Sequence, residues 1–145
     1  MEVCTIGFTQ RTAESFFGAL RKAGVKRLLD VRLNNRSQLA GFSKKEDLAY
    51  FLRELCQAEY VHVPLLAPTQ EMLDQLKKHK GAWSDYERQF LALMAERKVE
   101  ETVSHDLFSV PCVLLCSEAK PQHCHRRLVV EYLQAKWGGL TVRHL

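Results

Sequence analysis

The chain predicts an α/β fold: a single-domain, Rossmann-like, mostly parallel sheet with helices on both faces. Two observations predict it. Five short strand-like runs, near positions 3–7, 25–31, 60–64, 113–116 and 141–144, alternate with stretches of helical periodicity. At 145 residues, 46% of them hydrophobic and 26% charged, the chain can bury one substantial core without staples. No repeat, linker or low-complexity segment divides it, so residues 1–145 read as one domain.

The elements follow in order. Val3 to Gly7 is a short buried strand ending on a glycine turn. Thr12 caps a helix whose Phe16, Phe17 and Leu20 share a face, and Gly24 ends it. Val25 to Val31 is the second strand, with Asp30 and Arg32 at its end. After a polar loop, Ser43 and Glu46 have the spacing of a capping box and open a helix to about Cys56. Tyr60 to Pro64 is the third strand, and Thr69 to about His79 a shorter helix stopped by Gly81. Ser84 and Glu87 form a second capping box before a long helix reaching about Val103. Val113 to Cys116 is the fourth strand. A loop with Ser117, Glu118, Lys120 and Pro121 leads from it into a helix from about His123 to Trp137, with Cys124, His125 and Arg126 in its first turn. Thr141 to His144 is the last strand.

The net charge of +4 is scattered, and its clusters, Arg21, Lys22, Lys26 and Arg27 and then Lys77, Lys78 and Lys80, surround helix ends. The helix dipole alone favours cations there. No basic run is interleaved with aromatics, so nucleic acid is an open option rather than a signature. The five cysteines are odd in number and mostly in apolar or helical stretches, which reads as reduced, cytoplasmic usage and not as a disulfide framework. No leader or membrane-spanning stretch is expected, hence no membrane partner. The sequence does not address oligomeric state.

Parallel strands with right-handed crossovers put all strand C-termini on one rim, where α/β proteins bind ligands. That rim collects Gly7 to Thr9, Asp30 to Ser37, His62 to Leu66 and Cys116 to Arg126. Cys124, at a helix N-terminus beside His125, Arg126 and Arg127, is the leading candidate for a reactive thiol. Cys116 at the strand end, Glu118 in the loop and His125 are the further catalytic candidates. Arg32 could bind an anion in two-pronged fashion with Asp30 orienting it, and Arg36, Ser37 and Phe42 could complete the pocket. His62, His144, Trp83 and Tyr86 read as core or packing residues.

Familiar alternatives fall away. A phosphate cradle after Cys116 needs arginine where Gln122 stands, and haem attachment at Cys124-His125 needs cysteine where Pro121 stands. Cys116, Glu118, His123, Cys124 and His125 could serve as zinc ligands. Adjacent helical residues point about 100° apart, however, which argues against Cys124 and His125 sharing an ion. No metal site or cofactor is therefore expected.

Several of these segments, in this order, resemble the family called domain of unknown function 488. They are Thr5-Ile6-Gly7, Asp30-Val31-Arg32 with Ser37, Phe42-Ser43-Lys44, Tyr60-Val61-His62, Leu114-Leu115-Cys116 with Glu118, Cys124-His125-Arg126, and Val142 to Leu145. The resemblance covers essentially the whole chain. It implies an α/β domain and a shared site of Arg32, Cys116, Glu118, Cys124, His125 and Arg126. Phe8 stands where the family tends to have histidine, Asn35 where proline is usual, and Leu66-Ala67 where leucine-glycine is common. The expected function is an enzyme acting on an anionic substrate, a nucleotide or nucleic-acid fragment, with Cys124 as nucleophile or redox thiol. The alternatives are a non-catalytic nucleic-acid or partner-binding module and a structural metal site.

Overall fold

The computed structural model describes residues 1–34, 41–78, 82–116 and 124–145. Strands β1 (Glu2–Gly7), β2 (Arg27–Asp30), β3 (Glu59–His62), β4 (Cys112–Cys116) and β5 (Thr141–His144) form one sheet in the order β3-β2-β4-β1-β5. Every pairing is parallel, so the expected Rossmann-like α/β sheet is found with its strand C-termini on one rim. The register sets Gly7 beside Cys116, and Asp30 beside both Leu115 and His62.

Helices α1 (Ala13–Lys22), α2 (Lys45–Phe51), α3 (Gln70–Lys78), α4 (Trp83–Glu96), α5 (Val99–Thr102) and α6 (His125–Trp137) connect the strands. Strand β4 is buried along its whole length, which is why it reads as an unbroken apolar run. Its period of two splits the core. Val113 and Leu115 pack with Phe16, Phe17, Leu20, Leu48 and Leu52 on the α1/α2 face. Cys112, Leu114 and Cys116 join Phe90, Met94, Leu128 and Leu133 on the α4/α6 face. The chain steps from β1 through β2 to β3 over the first face, then back to β4 and β5 over the second. The direction reverses around β4, and ligands of open α/β sheets bind at such a reversal. Among the described residues no helix is long and apolar enough to cross a membrane.

Thr12 caps α1 as expected, accepting from the Ser15 amide at 3.0 Å, and Gly24 supplies the left-handed turn (φ 70°) that releases the chain into β2. The two capping boxes do not form. Ser43 closes a 3-10 turn (Gly41–Ser43), and Lys44 is the N-cap of α2 with no side-chain cap bond. Ser84 lies inside α4, which begins at Trp83 behind Ala82. Helix α2 runs on as a π-helical stretch, Leu52–Cys56. The long helix expected to reach Val103 breaks at Lys98, whose φ of 51° no helix accommodates. His79 and Gly81, at the expected end of α3, lie outside the described residues.

Candidate active site

Strand β4 ends at Cys116 and α6 begins at His125, with Cys124 as its N-cap rather than a first-turn residue. Cys124 is extended (φ −139°, ψ 140°), and its carbonyl accepts the Arg127 amide at 3.3 Å. An extended N-cap frees Cys124 from the 100° step between helical neighbours, so Cys124 and His125 turn to the same place. The sulfurs of Cys116 and Cys124 meet in the manner of a disulfide, with their Cα atoms 7.4 Å apart. The donor atoms of Cys116, Cys124 and His125 lie within 4.8 Å of one another, and all three residues are buried. The expectation of reduced cysteines is thereby corrected for one pair: Cys116 and Cys124 are paired, while Cys4, Cys56 and Cys112 are free and buried. The cause is topological, because α6 packs back over the strand it leaves.

His125 donates from Nε2 to the Val31 carbonyl at 2.7 Å. A carbonyl only accepts, so Nε2 carries the proton and the neutral ring keeps its lone pair on Nδ1. Burial is the main reason its pKa is lowered to about 4; the Arg126 charge adds to the effect, while the Val31 bond and Asp30 oppose it. The ring lies 5.5 Å from that of Phe90. Arg126 is fully buried, and its charge also lowers the pKa of His144, behind desolvation as the main cause. His144 is hydrogen-bonded through Nδ1 to the Thr5 hydroxyl. Arg127 points outward to Glu131 (2.8 Å) and Glu87 (3.3 Å), the residue expected to cap α4.

Arg32 and Asp30 form a second buried unit. Arg32 donates from Nε to Oδ1 and from Nη2 to Oδ2 of Asp30, each at 2.8 Å, and from Nη2 to the Ser43 carbonyl at 2.8 Å. The Arg32 amide and the Tyr60 hydroxyl also donate to the Asp30 carboxylate, at 3.1 and 2.5 Å. Phe8 lies against the guanidinium, 5.4 Å from its ring centroid to Cζ. With one edge of its fork spent on Asp30, Arg32 has no free two-pronged face, but its Nη1 is buried with no hydrogen-bond partner among the described residues.

The two units occupy different faces of the rim. Asp30, Arg32 and Tyr60 lie with Phe8 on the α1/α2 side, whereas Cys116 and Cys124 lie on the α4/α6 side. Val31 joins them, since its carbonyl receives His125. Phe42 packs against Phe16 (5.2 Å) and Phe17 (5.8 Å), within the α1/α2 aromatic cluster. Ser37, Arg36, Glu118, Lys120 and His123 lie outside the described residues. The carbonyls of Val31 and Ser43 are site elements that the sequence did not single out, and Tyr60 and Phe8 stand out in it only as family motif positions. Alternation puts Tyr60 on the same sheet face as Asp30 once β2 and β3 are paired, but a carbonyl leaves no trace in side-chain pattern.

The model for the family described as Domain of unknown function DUF488 matches residues 12–133. No curated protein and no solved structure matches the chain. A match over most of the chain, embracing both buried units, makes this protein a member of the DUF488 family.

Proposed function

We propose that the protein is an enzyme acting on an anionic substrate, a nucleotide or nucleic-acid fragment, in the cytoplasm. Cys124 serves as nucleophile or redox thiol and Cys116 as its partner sulfur. The observation that carries this reading is the meeting of Cys116, Cys124 and His125 at the N-terminus of α6, beside the topological reversal of the sheet. A helix N-terminus favours thiolate over thiol and attracts anions to its open amides. As a redox pair, the two thiols release two electrons and two protons on forming their disulfide, and the substrate takes these up. At neutral pH the His125 ring is an acceptor at Nδ1, not an acid. The Nη1 of Arg32, buried with no hydrogen-bond partner among the described residues, supports a preference for anions. Glu118, placed by the sequence motif, is the candidate for moving protons.

Thermal unfolding of the reduced protein with nucleotides, short oligonucleotides, phosphate and organic acids tests the reading. A ligand at 100 times its Kd stabilises by about 2.7 kcal/mol. The Cys124→Ser variant is expected to keep that stabilisation and lose conversion of the ligand, followed by mass spectrometry. A binding module would be unaffected by the substitution. Absence of stabilisation by any of these anions, or full conversion by Cys124→Ser, defeats the proposal.

A further inference from the structure

We infer that in the reduced protein Cys116, Cys124 and His125 form a binding site for a zinc-like divalent metal ion. The inference goes beyond the substrate reading and does not depend on it.

Ligand atoms around a tetrahedral zinc, with Zn–S near 2.3 Å and Zn–N near 2.0 Å, lie about 3.3–3.8 Å from one another. The three donor atoms already fall within 4.8 Å of one another, so small rotations about their side-chain bonds suffice. The backbone spacing agrees: the 7.4 Å between the Cα atoms of Cys116 and Cys124 exceeds the roughly 4.4–6.8 Å that disulfides usually span. Two thiolates on one ion are held further apart than two bonded sulfurs, and that wider frame suits this separation.

The chemistry of the third donor fits as well. Metal-bound histidines usually donate their second ring N–H to a carbonyl or carboxylate, which fixes the tautomer and aims the lone pair. His125 has that arrangement, with Nε2 held by the Val31 carbonyl and Nδ1 left as the donor. The objection from the 100° helical step does not apply, because Cys124 is extended.

Charge balance also favours the ion. Two thiolates, one neutral imidazole and one divalent cation sum to zero. All three residues are buried, and a buried site tolerates a neutral unit far better than a pair of uncompensated thiolates. Thiolate and imidazole donors select zinc and its neighbours over magnesium or calcium. Three ligands among the described residues leave a fourth position to another donor. Metal loading and the Cys116–Cys124 disulfide exclude each other, since the same sulfurs serve both.

Cobalt(II) titrated into reduced, metal-free full-length protein tests the site. The expected result is 1:1 binding with the visible bands of tetrahedral cobalt and a thiolate-to-cobalt charge-transfer band, both abolished by one equivalent of zinc. Cys116→Ser, Cys124→Ser and His125→Gln should each weaken binding at least tenfold, and diamide-oxidised protein should bind no cobalt at this site. A readout free of substitutions guards against misfolded variants: zinc should slow alkylation of Cys116 and Cys124 in the wild type while leaving Cys4, Cys56 and Cys112 unchanged. Absence of the charge-transfer band at stoichiometric cobalt, or equal zinc protection of all five cysteines, would overturn the inference.

Discussion

Asp30→Ala is expected to lower unfolding stability by about 3–5 kcal/mol, because it strands the Arg32 guanidinium in the interior. The side chains of Asp30 and Arg32 are 0% and 3% exposed, and the carboxylate collects bonds from Arg32, Tyr60 and the Arg32 amide. Removing one partner of a buried pair costs far more than the net worth of the pair, since the remaining charge keeps its desolvation penalty. Asp30→Ala/Arg32→Met, which removes both charges and fills the space with an apolar chain, should recover most of the loss. Urea unfolding of wild type, single and double variants checks this. A single variant within about 1 kcal/mol of wild type would mean that Arg32 finds water or another partner, contrary to the enclosed geometry described above.

The second large effect is a dependence of stability on pH. In reduced, metal-free protein, stability should fall by about 3 kcal/mol as pH drops from 6.5 to 4, through His125 alone. Its pKa is about 4 in the folded state against 6.5 when the chain is unfolded. Between those values the unfolded chain binds a proton that the native ring refuses, so acid favours unfolding. The contribution is complete above pH 6.5, shrinks as pH falls, and changes no further below 4. His144, also lowered mainly by burial, adds a slope of the same sign. Chemical denaturation across this range should give a clearly flatter profile for His125→Gln. Identical slopes for variant and wild type would show that the ring is not held neutral in the interior.

Much of this architecture was legible in the sequence, and what escaped has physical causes. The β4 run, buried on both faces, and the Thr12 cap obey local rules, and the structure realises both. Ser43-Glu46 and Ser84-Glu87 satisfy the same local rules and fail. The Ser43 carbonyl is drawn into the Arg32 unit, and the Glu87 carboxylate is turned toward Arg127 on another helix. Tertiary contacts there override capping propensity. At the site, sequence order could place Asp30, Arg32, Cys116 and Cys124 on one rim, since parallel topology dictates it. It could not divide them between two faces, because that division depends on strand register and on one extended residue, Cys124. Neighbours inside a helix diverge by about 100°, but the extended N-cap Cys124 is free of that step and can share a site with His125.

The claim that Cys124 is the functional thiol meets its most direct test in alkylation rates, measured residue by residue and against pH in reduced, metal-free protein. Burial raises the pKa of Cys4 and Cys56 and pushes that of Cys112 up to about 12, so these three should react slowly at neutral pH. Cys124, at the N-terminus of α6, is predicted to react fastest of the five at neutral pH. A Cys124 that reacts more slowly than Cys56 at every pH would contradict the account.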